Sequence, residues 1–297
     1  MDRVQDRIEE VLDSSGRAKE VFDYVGLTPG KRLRPSLVLL TFSLCGGTKY
    51  DEAINAATGV ELVHMASLIH DDIIDRSELR RGQETVHRKF GTQAAVLAGD
   101  HLFAAAFHLF SLSASGRVSQ LMTSVIQGMC SGEINQLLDP VTNEKEYMAY
   151  ISKKTASLIG GCCRLGAILS DLDPLEGKQL QEFGENLGLA FQLTDDVLDY
   201  RGVDLTMGKQ RGRDFAEGVW TMPTIRAYYR GLIPHKWSRL DFQFIRSILE
   251  TTGILGEVWQ VAADYAQRAI RILERFPEST TRTELLNLSQ KVLERHS

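Results

Sequence analysis

The chain has 297 residues, 43% of them hydrophobic and 25% charged, the balance of a folded globular protein rather than a disordered or fibrous one. Its net charge of −5 offers no basic field for nucleic acid, and its longest apolar runs, 94–98 and 102–107, are far too short to span a membrane. The first residues carry no apolar signal-peptide core, and Cys45, Cys130, Cys162 and Cys163 form no CxxC, disulfide framework or zinc pattern, so a cytoplasmic location is expected.

Helical periodicity dominates from the start. The pattern predicts helices over 4–24 and 36–44, separated by Pro29-Gly30 and a cluster of cations, Lys31, Arg32 and Arg34. A helix over 52–76 follows, with His64, Ala66 and Ser67 ahead of His70-Asp71-Asp72-Ile73-Ile74-Asp75. Arg80-Arg81-Gly82 comes five residues after Asp75. Further helices are predicted over 91–112, 118–138 and 144–170, the last carrying Lys153-Lys154-Thr155. The helix over 174–200 ends in Gln192-Leu193-Thr194-Asp195-Asp196-Val197-Leu198-Asp199. A long break over 201–218 contains Lys209 and four glycines, and a break of that length inside a compact domain is usually functional. Helices over 221–229, 240–251, 255–276 and 281–295 complete the chain. No linker or low-complexity tract interrupts it, so the expected architecture is all-α: a single large helical domain over residues 1–297, with about ten helices around a central cavity.

The two DDxxD clusters carry the chemistry. Residues i and i+4 of a helix share a face, with Cβ atoms roughly 5–6 Å apart. Asp71 with Asp75, and Asp195 with Asp199, can each hold one hard cation. Mg²⁺ takes one or two carboxylates, keeps waters and fills its shell with phosphate oxygens. Two such plates facing each other would grip a diphosphate from both sides. One DDxxD is a weak signal; a pair embedded in apolar sequence is a strong one. The cations at Lys31, Arg34, Arg80, Arg81, Lys154 and Lys209 would answer phosphate, arginine bidentately and lysine as a point charge. His64 precedes Asp71 by seven residues and falls on about the same helix face.

These residues belong to a long ordered series: GKRLRP at 30–35, ELVHMASLIHDDIID at 61–75, LRRG at 79–82, HRKFG at 87–91, Gly99-Asp100, Lys154-Thr155, FQLTDDVLDY at 191–200 and Gly208-Lys209. In that series the chain resembles the trans-type isoprenyl diphosphate synthases over most of its length. The resemblance implies an all-α fold, a homodimer and three Mg²⁺ ions. It implies that isopentenyl diphosphate and an allylic diphosphate primer are joined head to tail. Asp71, Asp75 and Asp195 would be direct metal ligands, with Asp72, Asp196 and Asp199 beside them. The allylic diphosphate would be held by the metals with Arg80, Lys154 and Lys209. Isopentenyl diphosphate would be held by Lys31, Arg34, His64 and Arg81. Thr155 and Gln192 would lie beside the developing allylic cation. Any membrane association would be loose and would come through the product. The alternatives are a catalytic subunit that needs a partner, a non-catalytic subunit, and a class I terpene cyclase; the second DDxxD and the isopentenyl clamp speak against the last two.

Two features are particular to this chain. Val219 stands where the family usually carries a diphosphate-binding lysine, and Val203 replaces an acidic residue after Gly202. Ala66 and Ser67, five and four residues ahead of Asp71, are small where short-chain members carry bulky aromatics. A helical turn rises about 5.4 Å, close to one isoprene unit, so a product longer than four units is expected.

Overall fold

The computed structural model describes residues 1–13, 16–26, 30, 32–139, 141–201 and 212–294. The remaining residues, including Lys31, Lys209, Gly202 and Val203 of the sequence-based readings, lie outside the described residues. The described chain is helical apart from one two-stranded hairpin, and it divides into two compact units: Met1–Met122 with Cys162–Gly177, and Thr123–Gly161 with Lys178–Ser297. All four cysteines are free thiols.

In the first unit the single helix expected over 4–24 is two, α1 (Asp2–Leu12) and α2 (Arg17–Gly26). Gly16, at φ +64°, adopts a left-handed conformation that breaks the run. α1 buries Val4, Ile8 and Leu12 at the i, i+4, i+8 spacing of one helix face. α3 (Leu33–Leu44) starts earlier than predicted, because Pro35 sits in the first turn, where its missing N–H costs nothing. α4 (Tyr50–Ile74) is the spine of the unit and is buried on nearly all sides over its middle turns. It ends before a hairpin that the sequence did not announce, β1 (Leu79–Arg80) paired antiparallel with β2 (Gln83–Glu84). Strands of two residues carry no alternation to read. The turn is Arg81-Gly82, both at positive φ (53° and 80°), which is the type I′ geometry of two-residue hairpin loops.

α5 (Val86–Phe90) and α6 (Thr92–Ser111) follow. α6 packs along α4, and two glycines let the pair close. A Cβ on Gly59 would stand 2.5 Å from the Phe110 ring, and one on Gly99 would stand 2.2 Å from His70 Nε2. α6 has 20 residues and a window of mean hydropathy 1.3, long and apolar enough to cross a membrane, which the two shorter runs read from the sequence did not suggest. Leu102, Ala106 and Phe110 are nevertheless fully buried in the unit.

α7 (Gly116–Leu138) carries the chain into the second unit. The helix expected over 144–170 is interrupted: α8 (Glu144–Ile151) runs into a π-helical turn (Ser152–Ala156) before α9 (Ser157–Leu169). Such turns occur frequently at functional sites. α10 (Pro174–Arg201) is the longest helix described. Short α11 (Arg213–Glu217) lies between left-handed Gly212 and Gly218. It is followed by α12 (Met222–Tyr229), a 3₁₀ turn (Trp237–Arg239), α13 (Phe242–Thr251), α14 (Ile254–Leu273) and α15 (Thr280–Lys291). The core of this unit is built around Leu193, Val197, Trp220, Ile225, Leu249 and Val258. An aromatic chain, Tyr200–Phe242–Phe215–Trp237–Trp220–Tyr228, runs through it with centroids 5.3 to 5.9 Å apart.

Candidate active site

Both DDxxD motifs close a helix, and in both the helix assigns the aspartates the same two jobs. On α4, Asp71 is half-buried and Asp75 exposed, one turn apart on the outer face, while Asp72 turns inward and is 4% exposed. On α10, Asp195 and Asp199 are half-buried and Asp196 is 1% exposed. The inward aspartates are taken by protein donors. Arg80 Nε reaches the two oxygens of Asp72 at 2.9 and 2.8 Å, and its Nη2 lies 2.7 Å from Oδ1. Asp196 accepts from Tyr147 Oη at 2.5 Å and from Gln192 Nε2 at 3.1 Å. Burial pushes the Asp196 carboxyl up to about 7, against the lowering effect of these bonds and of a backbone bond from Met222. The outward pairs are all-oxygen donor sets for a hard cation. Among the described residues, no three histidine, cysteine or acidic side chains form a closed cage. A carboxylate pair at i and i+4 suits Mg²⁺, which takes one or two carboxylates and completes its shell with water and phosphate.

The first unit surrounds His64 with arginines. Arg34, Arg80, Arg81 and Arg32 all act on the imidazole, and with burial as the main cause they hold it well below its ordinary value. His64 is therefore neutral, and the positive charge of the nest lies on the guanidinium groups. Arg34 Nε is buried without a hydrogen-bond partner. Gly30, Arg32, His64, Arg80 and Arg81 line one cleft. The structure thus brings Arg34, His64 and Arg81 together as read from the sequence, and places Arg80 beside them. Arg32 was read from the sequence only as one of a cluster of cations, with no role of its own. Its φ of +49° starts α3, and its guanidinium pairs with buried Glu61 at 2.8 Å. Glu61, at helical spacing before His64, had no signal beyond being a charge in an apolar run.

In the second unit the π-helical turn presents Lys154 and Thr155. It lies close to α10: a Cβ on Gly188 would be 2.7 Å from Ala156 Cα. This closeness lets Thr155 Oγ1 donate to Gln192 Oε1 at 3.0 Å. Lys154 Nζ is 2.6 Å from Glu133, which also accepts from Tyr150 at 3.3 Å. Glu133 is the sole charge between Arg117 and Asp139, a signal that sequence reasoning could have used. Tyr147, 49 residues from Asp196 in sequence, had none. Val219 is half-buried, its N–H bonded to Asp214 O at 2.8 Å, while Trp220 is packed in the aromatic core.

His70, ahead of the first motif, rests against bare Gly99, its Nε2 3.2 Å from Val96 O and 3.7 Å from Asp100. This contact links the Gly99-Asp100 pair to the first DDxxD. Ala66 is wholly buried, whereas Ser67 is half-exposed with its hydroxyl bonded to His64 O.

The model of the polyprenyl synthetase family matches residues 16–232. The chain is 34% identical over 286 residues to octaprenyl diphosphate synthase of Haemophilus influenzae, covering 92% of this chain and 87% of that one. It is 32% identical to decaprenyl-diphosphate synthase subunit 1 of Schizosaccharomyces pombe, over 99% of this chain and 89% of the other. Among solved structures, the polyprenyl synthase of Caulobacter crescentus, complexed with calcium and isoprenyl diphosphate, superposes with a TM-score of 0.92 at 33% identity, covering 99% of this chain and 94% of that one. With paired DDxxD plates on an all-α scaffold and matches of this extent, the chain belongs to the polyprenyl synthetase family.

Proposed function

We propose that this protein condenses isopentenyl diphosphate with an allylic diphosphate, head to tail in 1′-4 linkage, to make an all-trans polyprenyl diphosphate longer than four isoprene units. The observation that carries the reading is what the two DDxxD motifs share: a carboxylate pair at i and i+4 that is less buried than the aspartate between them, and that middle aspartate fixed by protein donors.

The chemistry follows from the residues. On the first unit, Asp71 and Asp75 would hold Mg²⁺, and on the second, Asp195 and Asp199, for three ions in all. When bound, the metal supplies positive charge to the departing diphosphate. Arg34, Arg81 and neutral His64 bind isopentenyl diphosphate, together with Lys31. Arg80 and Lys154 bind the allylic diphosphate, together with Lys209. Asp72 locks the Arg80 fork, and Glu133 holds Lys154, so neither cation must be ordered at the moment of reaction. The allylic C–O bond breaks with its electron pair leaving on diphosphate. The isopentenyl double bond attacks the allylic carbon beside Thr155 and Gln192, and the proton then lost passes to the departed diphosphate. No side-chain base is needed. The working form is a cytoplasmic homodimer. A requirement for a second type of subunit is the competing reading, because one relative is a decaprenyl synthase subunit.

Asp71→Ala and Asp195→Ala each remove one plate ligand. Loss of a preorganised electrostatic group commonly costs about 2.7–4 kcal/mol, or two to three orders of magnitude in rate. Turnover of labelled isopentenyl diphosphate should fall at least that far in both variants. Near-normal turnover in either would overturn the site assignment.

A further inference from the structure

Tyr147, Asp196, Gln192 and Thr155 form a continuous chain within the second unit: Tyr147 Oη to Asp196 Oδ2 at 2.5 Å, Gln192 Nε2 to Asp196 Oδ1 at 3.1 Å, Thr155 Oγ1 to Gln192 Oε1 at 3.0 Å. With Asp196 ionised, every bond in it has one direction. The carboxylate then only accepts, so Gln192 turns its NH₂ to Asp196. Its carbonyl then faces Thr155 and also only accepts, so Thr155 must commit its single proton there. What Thr155 can offer to any other neighbour is lone pairs alone. Tyr147 is 2% exposed and Asp196 1%, so that end of the chain is closed to a ligand, whereas Thr155 at the other end is half-exposed.

We propose that Asp196, anchored by Tyr147, is a positioning residue that fixes the polarity of this chain and so makes Thr155 an obligate acceptor toward the electron-poor allylic carbon. This deepens the functional reading above and rests on its placement of Thr155 beside that carbon. Asp196 acts through Gln192 and touches no substrate. Asp196→Asn should invert the chain. The buried Tyr147 proton must keep an acceptor, so the asparagine carbonyl turns to Tyr147 and its NH₂ turns to Gln192. The Gln192 amide then rotates, its NH₂ faces Thr155, and the Thr155 proton is turned outward. Gln192→Leu cuts the chain without altering either carboxylate of the second plate, so it serves as a second probe should Asp196→Asn fail to fold.

The test compares two allylic diphosphate analogues as inhibitors of the full-length protein in Mg²⁺: one with an ammonium nitrogen at the reacting carbon, one with the neutral carbon isostere. Wild type should prefer the ammonium compound. Asp196→Asn should lower that preference about tenfold or more, leaving the Kd of the neutral compound within about twofold, and Gln192→Leu should lower the preference as well. Thr155→Ser should keep the preference. If Asp196→Asn weakens both analogues equally, Asp196 acts at the diphosphate end and the inference fails. If wild type prefers the ammonium compound and both variants keep that preference, the inference fails while the reading of the site stands. A wild type with no preference would overturn the reading of the site and the inference with it.

Discussion

At the scale of single residues, DDxxD is two functions written in one string. The helical period sends the first and fifth aspartates outward and the second inward, where Arg80 meets one and Tyr147 with Gln192 meets the other. The outward pairs were legible in the sequence because i and i+4 are fixed by the helix itself. Partners of the inward pair were not, since Tyr147 is brought to Asp196 by tertiary packing and no local rule names it. Val219 stands where the family usually carries a diphosphate-binding lysine. It is half-buried and next to Trp220, which the core holds. Val219→Lys should therefore be tolerated and should add a cation to the proposed allylic clamp. Apparent KM for the allylic primer should fall about tenfold, the lower end of a hydrogen bond to a charged group (about 1.5 kcal/mol). KM for isopentenyl diphosphate and thermal stability should stay unchanged. A lower melting temperature with no change in primer KM would mean that this position only packs.

At the scale of elements, α4 positions more of the site than any other helix, with Glu61, His64, Ser67, Asp71 and Asp72 on successive turns. Its length was readable from periodicity, while its close approach to α6 rests on glycines whose need for bare backbone is invisible until the helices meet. Gly99→Ala would place a methyl 2.2 Å from His70 Nε2, and overpacking of this kind typically costs about 1–3 kcal/mol. Its melting temperature should fall by several degrees, as thermal unfolding would record; an unchanged midpoint would mean that the ring moves aside freely. Ser67 is half-exposed, whereas Ala66 is wholly buried. Ser67→Phe should shorten the products with little loss of stability, since a ring there blocks the chain one turn above the metal plate. Ala66→Phe should instead destabilise the protein, because position 66 has no exposed surface. Unchanged product length in Ser67→Phe would place the growing chain elsewhere. The π-helical turn and the Arg81-Gly82 hairpin escaped the sequence for a common reason. Each is a few residues long, too short to carry a period, yet each orients a proposed clamp cation, Lys154 and Arg80.

At the scale of the whole molecule, the all-α class and the family were both readable in the sequence, because helical periodicity runs the length of the chain and the motif series is long and ordered. The breaks between helices were less so: Gly16 divides the first predicted helix and the π-helical turn divides the one expected over 144–170, local events within strong periodic runs. The size of the product is a property of the entire scaffold, and it is where the proposed activity stands or falls. Purified protein, Mg²⁺, isopentenyl diphosphate and each allylic primer in turn should be incubated without any other protein, and the dephosphorylated products sized by chromatography. The expected result is Mg²⁺-dependent elongation to all-trans chains longer than four isoprene units. Arrest at four units or fewer would contradict the long-chain assignment, and no elongation from any primer would contradict a self-sufficient synthase.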